Sequence, residues 1–293
     1  MPTAVPQKQI PGVVHRRIGD IIVTAIADGF LEGDLSVLRN IPTEDAAAIL
    51  AANHRPARRT NVNCFLIHSK GRTALVETGC GTYMQDTGGK MMENLAAAGV
   101  APGDIDAILL THMHPDHSAG LTNRETNERY FDNAELVVHE NEPKHWLDDA
   151  NLARATDRER DLFFNCAREQ IAPYMDRLKP FTSGEVFPGV TAFARPGHTP
   201  GHSNFLIESG DEQLLIWGDI VHIPEVQTAR PEACMVYDTD PAQAEASRRA
   251  VFDMVATDGL LVTGMHLHFP GFSRLVKRGD GYQLLPAAWE HNL

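Results

Sequence analysis

The feature that most constrains the fold is a dense group of metal-binding side chains that directly follows an apolar, strand-like run. The run Ala107–Leu110 leads into His112, His114, Asp116 and His117 within a few residues. Imidazole suits zinc, and a carboxylate adds compensating charge and suits harder divalent ions. In an extended or turning chain, His112 and His114 point to the same side and can bind one ion. After the next bend, Asp116 and His117 can face a second ion.

Later strand ends supply the further ligands that two coordination spheres need. His198 lies in a Gly/Pro-rich loop just past a strand, Asp219 follows an apolar run, and His266 follows another. The carboxylate of Asp219 can bridge two ions, which a neutral imidazole cannot do. We therefore predict that several strand ends meet at one site.

Short strand-like runs alternate with helical stretches along the chain. The predicted strands are Ile21–Ala27, Val62–Ile67, Thr73–Glu77, Ala107–Leu110, Glu135–Val138, Val190–Ala194, Asn204–Glu208, Gln213–Trp217 and Leu260–Thr263. The predicted helices are Thr43–Asn53 with Thr43 as its cap, Met84–Ala98, Thr156–Leu178, and Pro241–Ala256 with its cap at Asp240. We interpret the charged segment of about 141–182 as a helical insertion, and residues 1–293 as a single domain of stacked sheets covered by helices.

Composition excludes several partners. There are 26 basic and 39 acidic residues, and the formal net charge is −13. Such a surface repels phosphate backbones and anionic lipid, so we expect neither nucleic acid nor a membrane surface as a partner. The first residues show no secretory signal, which predicts a cytoplasmic protein. The four cysteines are scattered without a C-x-x-C pair, and we expect free thiols at Cys64, Cys80, Cys166 and Cys234.

The order H-x-H-x-D-H, then His, then Asp, then His resembles the metallo-β-lactamase superfamily. The resemblance implies an α/β fold, the αββα four-layer sandwich, with a dinuclear metal site at one edge. Carried over by position, His112, His114 and His198 would hold one metal, Asp116, His117 and His266 the other, and Asp219 would bridge them. Within the superfamily the chain is most similar to the methyl parathion hydrolase-like and lactonase group, on the motifs Gly197–His202, Trp217–Val221, Glu225–Gln227 and His266–Gly271.

Some positions depart from the family pattern or stay open. The early strand usually ends in Asp-Thr-Gly, whereas here Glu77 stands in place of the Asp, which leaves the geometry of its supporting role open. The last ligand is ambiguous between His266 and His268, and alignment on the following Phe-Pro-Gly favours His266. His202 and His222 are near the ligand loops, as supporting residues or substrate contacts.

The expected chemistry is hydrolysis. Two divalent ions lower the pKa of a shared water toward ~7, and the resulting hydroxide attacks a carbonyl or phosphoryl centre. Asp116 and Asp219 are the expected catalytic residues, which orient the nucleophile and pass a proton to the leaving group. Zinc is the first expected metal, with manganese, iron or cobalt as alternatives. The expected substrates are small molecules: neutral hydrophobic esters and lactones, with organophosphate triesters as a side activity. Candidate pocket walls are Phe30, Leu31, Trp146, Phe163, Phe164, Phe269 and Phe272.

Two other functions stay open at this point. One is a dedicated N-acyl homoserine lactone hydrolase that quenches signalling. The other is a non-catalytic metal-binding or redox protein on the same fold. A homodimer is compatible with the resemblance, although no interface can be identified in the sequence.

Overall fold

The computed structural model describes residues 5–7, 9–55 and 58–293. Its strands, in chain order, are β1 (Val13–Ile18), β2 (Ile21–Gly33), β3 (Leu38–Arg39), β4 (Arg58–Ser69), β5 (Arg72–Val76), β6 (Ala107–Leu109), β7 (Glu135–His139), β8 (Leu178–Phe181), β9 (Gly184–Phe187), β10 (Val190–Ala194), β11 (Ser203–Ser209), β12 (Glu212–Ile216), β13 (Cys234–Met235), β14 (Leu261–Thr263), β15 (Ser273–Arg278) and β16 (Gly281–Pro286).

These strands form two large sheets and one small one. The first has the order β1-β2-β4-β5-β6-β7-β8, the second β16-β15-β14-β12-β11-β10-β9, and β13 pairs with β3. In the first sheet β5, β6, β7 and β8 run parallel, and in the second β12 and β14 run parallel. All nine predicted strands are present, and β2 and β4 extend beyond their predicted bounds.

The alternating side chains of the central strands explain why the sheets are covered on both faces. Phe65 and Ile67 of β4 belong to an apolar cluster that both sheets share, whereas Leu66 belongs to a cluster on the opposite face. In β12, Leu214 belongs to the shared cluster and Leu215 to an outer cluster. Because successive side chains of a strand point to opposite faces, such strands need a packing partner on each side.

Helices provide those partners. They are α1 (Thr43–Ala52), α2 (Met91–Ala97), α3 (Pro115–Ser118), α4 (Asn141–Trp146), α5 (Asp149–Arg154), α6 (Asp157–Glu159), α7 (Asn165–Ile171), α8 (Pro224–Ala229) and α9 (Pro241–Asp258). Helices α2 and α7 contribute to the outer cluster of the first sheet, and α9 contributes Phe252 and Val255 to that of the second. The order of layers is helix, sheet, sheet, helix, which confirms the predicted αββα sandwich.

Three helix predictions need correction. Helix α2 begins at Met91 and not at Met84, because the Asp28 carboxylate accepts hydrogen bonds from the backbone N–H groups of Cys80, Gly89 and Met91 and fixes the preceding turn. Thr43 does not cap α1: it is the first helical residue, and Pro42 occupies the cap position without a side-chain bond. By contrast, Asp240 caps α9 as predicted, through a bond from Gln243 N.

The third correction concerns the predicted helix Thr156–Leu178. It breaks at a π-helical turn, Arg160–Phe164, and α7 ends at Ile171, before a 3₁₀ turn that contains Pro173. Proline cannot donate a backbone hydrogen bond, so the helix does not continue through it. Leu178 begins β8, which pairs with β7, so the segment 141–182 is helical at first and closes with a strand of the first sheet.

The four cysteines are free and buried, as predicted. Within the described ranges, the helices are too short or too polar to cross a bilayer.

Candidate metal centre

All seven predicted ligand side chains meet at one edge of the sandwich. They lie beyond the carboxyl ends of β6, β10, β12 and β14: His112, His114 and, in the short helix α3, Asp116 and His117; His198; Asp219; and His266. Within the second sheet, the parallel strands β12 and β14 place their carboxyl ends at a common edge, which brings the loops that follow them together. Six of the seven residues are buried, and Asp116 is partly exposed.

The first group consists of His112, His114 and His198, with ligand atoms all within 4.8 Å of one another. The Nε2 atoms of His112 and His198 are 3.2 Å apart. In the loop that follows β10, Gly197 directly precedes His198, and its φ of 128° and tight packing against Ala244 leave no room for a side chain. Gly197 therefore fixes the direction in which His198 points.

The carboxylate of Asp219 lies at the centre of the cluster. The distances from its Oδ2 atom to surrounding Nε2 atoms are 3.0 Å for His222, 3.1 Å for His266, 3.2 Å for His117, 3.3 Å for His198 and 3.7 Å for His112. One carboxylate oxygen thus contacts imidazoles from both predicted metal positions, as a bridging ligand must.

The second group consists of Asp116, His117 and His266. Asp116 Oδ2 lies 3.5 Å from His266 Nε2 and 3.7 Å from His117 Nε2. His266, and not His268, faces Asp219. His268 turns away to bond Glu225 Oε1 at 2.7 Å.

The cluster has the donor set and the unmet bonding capacity of a cation site. Both ring nitrogens of His117, both of His222 and Oδ1 of Asp219 are buried without a hydrogen-bond partner. Buried polar atoms are rarely left unpaired in native proteins, so convergent unpaired nitrogens and oxygens point to a bound positive charge. Divalent metal ions fit these residues.

Contacts of the Nδ1 atoms orient the imidazoles of the candidate ligands. His198 Nδ1 lies 2.7 Å from Asp238 Oδ1, His266 Nδ1 lies 2.7 Å from the Asn61 carbonyl oxygen, and His112 Nδ1 lies 3.0 Å from Thr111 Oγ1. Each of these contacts leaves Nε2 directed at the cluster, which is the arrangement that metal-binding histidines usually have.

Glu77 makes the supporting contacts that its position suggests. Its Oε1 accepts a bond from Thr111 N at 2.8 Å, and its Oε2 lies 3.6 Å from His117 Nδ1. The residue has a φ of 64°, a conformation uncommon for glutamate. The glutamate side chain, which is longer than the aspartate of the family pattern, therefore reaches the ligand loop from a left-handed backbone position.

The structure separates the roles of His202 and His222. His202 Nε2 accepts a bond from Asp219 N at 2.8 Å, and its Nδ1 contacts the Arg195 carbonyl oxygen at 2.9 Å. Burial lowers the pKa of His202 to about 3, so it stays neutral and positions Asp219. His222 instead joins the cluster, with a ligand atom within 4.8 Å of those of His198 and Asp219. In the sequence, the only signal that His222 joins the cluster was its position three residues after Asp219.

Burial and mutual proximity control protonation in the cluster. Burial lowers the pKa of His112 and of His114 well below the ordinary value, so both imidazoles are neutral and able to ligate. Burial alone would raise the pKa of Asp219. The surrounding histidines, His117 and His266 foremost, outweigh it and hold that pKa well below its usual range.

Glu142, which sequence reasoning missed, ties two ligand loops together. Its buried carboxylate accepts bonds from Met113 N at 2.9 Å, Gly201 N at 2.8 Å, Thr199 Oγ1 at 2.5 Å and Trp146 Nε1 at 2.7 Å. The loop that carries His112 and His114 is thereby joined to the loop that carries His198.

A cavity of about 320 Å³ opens onto the cluster. The wall residues outside the cluster include Leu31, Met84, Leu162, Phe163 and Tyr237. A neighbouring cavity of about 250 Å³ shares Phe163 and Tyr237 and adds Trp146 and Phe164. Of the other predicted wall residues, Phe269 and Phe272 line a separate cavity, and Phe30 packs beneath Arg59.

Comparison with known proteins identifies the family. The family model of the metallo-β-lactamase superfamily matches residues 57–266. The solved structure of "hydrolase AbOPH in beta lactamase superfamily" is 30% identical, with a TM-score of 0.91 over 97% of this chain and 100% of that chain. AidC, described as a dizinc quorum-quenching lactonase, shares the fold at 24% identity, with a TM-score of 0.89 over 96% of this chain and 99% of its own.

Among curated relatives, an N-acyl homoserine lactonase from Bacillus cereus is 27% identical over 172 residues, or 52% of this chain and 60% of the relative. The chain thus spans less than two thirds of that lactonase. The family model, which covers most of the chain, and the full-length likeness to AbOPH confirm the resemblance seen in the motifs. The chain belongs to the metallo-β-lactamase superfamily and is a hydrolase.

Proposed function

We propose that this hydrolase uses two divalent metal ions to cleave neutral, hydrophobic esters and lactones. The observation that carries the proposal is the convergence on Asp219 Oδ2 of imidazoles from both predicted metal positions, between 3.1 and 3.7 Å away. The convergent, unpaired nitrogens support a metal site, and a central carboxylate supports a bridged pair.

The proposed ligands are those predicted from the motif order. His112, His114 and His198 hold one ion, Asp116, His117 and His266 hold the other, and Asp219 bridges them. Zinc is proposed first, because imidazole-rich sites suit it. Such ions, when bound, supply Lewis acidity and a water whose pKa is lowered toward ~7.

The protein's own groups complete the chemistry. Asp116 is the one predicted ligand that is partly exposed, and its carboxylate lines the cavity, where it can take a proton and return it to the leaving group. Tyr237 and His222 line the same cavity. Burial raises the pKa of Tyr237 well above its ordinary value, so its phenol stays protonated and can donate a hydrogen bond to a substrate oxygen.

The walls of the cavity support the substrate class. Leu31, Met84, Leu162 and Phe163 give it an apolar surface beside the polar cluster, which suits an uncharged acyl or aryl group. Phosphotriesters have the same neutral, hydrophobic character and are proposed as side substrates.

A dedicated N-acyl homoserine lactone hydrolase is the second candidate. It is favoured by the Bacillus cereus relative, whose name states that activity. The two candidates differ in selectivity: a dedicated enzyme requires a strong rate preference for acylated homoserine lactones.

One substrate panel tests both candidates. The enzyme is stripped of metal with a chelator, reloaded with zinc, and assayed on a 4-nitrophenyl ester, a simple lactone, an acyl-homoserine lactone and a phosphotriester. We expect chelator-sensitive turnover of the ester and both lactones with comparable kcat/KM. A preference of a hundredfold or more for the acyl-homoserine lactone would favour the dedicated enzyme, and full activity after verified metal removal would refute metal-dependent hydrolysis.

A further inference from the structure

The cavity of about 320 Å³ that opens onto the cluster is called the metal cavity below. A second cavity, the arginine chamber, adjoins it. It has a volume of about 280 Å³ and shares two wall residues, Glu32 and Arg58, with the metal cavity. Its wall also carries Arg55 and Arg59, so three arginines from one short stretch of chain face it. Glu32 and Glu225 also lie in this wall, so its three arginines exceed its carboxylates by one, in a chain of net charge −13.

Two of the three arginines are neutralised by carboxylates. Arg55 Nε bonds Glu225 Oε1 at 2.9 Å, and Arg59 Nε bonds Glu32 Oε1 at 3.0 Å. The same Oε1 atom of Glu225 also lies 2.7 Å from His268 Nε2. These two arginines therefore offer little free charge to a ligand.

Arg58 is different. Its Nε donates to the Asp34 carbonyl oxygen at 3.0 Å and its Nη1 to Thr60 Oγ1 at 3.5 Å, and none of the carboxylates in the described part of the chain forms an ion pair with it. The nearby Asp34 carboxylate instead accepts a bond from Ser36 N. The half-buried guanidinium thus keeps its charge, with Nη2 available, where the two cavities meet.

The local backbone is built around this side chain. β2 ends at Gly33, and a side chain there would collide with Nη2 of Arg58. Arg58 is the first residue of β4 and pairs with Gly33 in the β2–β4 ladder. The ladder and the missing side chain together place the guanidinium at the junction of the two cavities.

We propose that Arg58 makes this hydrolase selective for esters or lactones that carry a carboxylate at the end remote from the reacting carbonyl. The reacting group lies in the metal cavity and the carboxylate enters the arginine chamber, where it accepts a forked pair of bonds from the guanidinium. This inference rests on the proposed ester and lactone hydrolysis and narrows its substrates: the reacting end stays uncharged and hydrophobic, as proposed above, and only the remote end carries a negative charge.

The test compares two esters of equal acyl length, mono-(4-nitrophenyl) glutarate and 4-nitrophenyl pentanoate, on the zinc-loaded enzyme. We expect a higher kcat/KM for the glutarate ester. Arg58→Met is expected to lower the glutarate-to-pentanoate ratio about ten- to hundredfold, mainly through KM, as for the loss of a hydrogen bond to a charged group. Arg58→Lys keeps the charge but not the forked guanidinium, so we expect its glutarate-to-pentanoate ratio to lie between those of the wild type and Arg58→Met.

Arg72→Met is the matched control. Arg72 is an exposed arginine at the start of β5, at the opposite end of that strand from the site, and its removal is expected to leave the ratio unchanged. The proposal is wrong if the wild type shows no preference for the glutarate ester, if Arg58→Met lowers both substrates equally, or if Arg72→Met lowers the ratio as much.

A binding measurement separates this proposal from the proposed function. The 4-nitroanilide of glutaric acid resembles the glutarate ester but resists hydrolysis, and its binding is measured by isothermal titration. If neither ester is cleaved, the proposed ester hydrolysis fails. Weaker anilide binding in Arg58→Met, by tenfold or more, would still support the arginine chamber, and equal binding by both proteins would overturn it.

Discussion

Replacing Glu142 by alanine tests whether one buried carboxylate holds two ligand loops together. Glu142 is fully buried and accepts bonds from Met113 N, Gly201 N, Thr199 Oγ1 and Trp146 Nε1. Glu142→Ala would leave four donors in the interior without their acceptor. The His112–His114 loop and the His198 loop would then lose a direct connection.

The magnitude follows from the number of donors. A buried donor left without a partner costs about 1–3 kcal/mol, and water that enters the space left by the side chain recovers part of the loss. We therefore expect Glu142→Ala to lower the free energy of unfolding by about 3–5 kcal/mol. Burial raises the pKa of Glu142, so removing its charge in Glu142→Gln relieves part of the cost of burying a carboxylate. The new amide N–H group, however, faces groups that are themselves donors. We expect a smaller loss of about 1–3 kcal/mol for that variant.

Urea unfolding of the metal-free proteins measures the stability change, and competition with a zinc indicator measures the metal affinity. Loss of this connection is expected to weaken zinc binding by about 10–100-fold. Glu140→Gln is the control, because Glu140 is partly exposed and its partner Lys144 is one helical turn away, so no measurable change is expected. An unfolding free energy for Glu142→Ala within about 0.5 kcal/mol of the wild type would refute the reasoning.

Three further predictions concern the site and its surroundings. Asp219→Ala should abolish ester hydrolysis and lower the metal content of the purified protein, whereas an active variant with full metal content would show that Asp219 is not the bridge. Glu77→Gln removes the charge that faces His117 Nδ1, so we expect about 10–100-fold weaker zinc binding in the indicator assay, and unchanged affinity would contradict that role. Burial opposes the ionisation of Glu225, but bonds from His268 and Arg55 lower its pKa to about 2, so its stabilising effect is present above pH 4.5 and is lost as the pH falls toward 2. Urea unfolding of Glu225→Gln should accordingly differ most from the wild type near neutral pH, and a pH-independent difference would contradict the ion pairing.

The sequence correctly predicted that the seven candidate ligand side chains come together, because its signals are local. Each candidate ligand follows an apolar strand directly, and the carboxyl ends of such strands meet at a sheet edge. The residues that orient the ligands were harder to find. Asp238 lies 40 positions from His198, and Glu142 lies 57 positions from Thr199, so only the folded chain shows these pairs.

The boundaries of elements failed where tertiary contacts override local pattern. The run from Met84 reads as helical, yet bonds from the turn to Asp28 delay the helix until Met91. The arginine chamber was missed for the same reason. In the sequence Arg58 and Arg59 are a pair of neighbouring charges, and only the positions of Glu32 and Glu225 show which arginine keeps an unpaired charge.

The central claim is a two-metal centre bridged by Asp219, and metal analysis of the zinc-reconstituted protein tests it most directly. The account predicts two zinc ions per chain in the wild type, at the end point of a titration that also restores full ester hydrolysis. Full activity at one zinc ion per chain, or no specifically bound zinc at all, would contradict it.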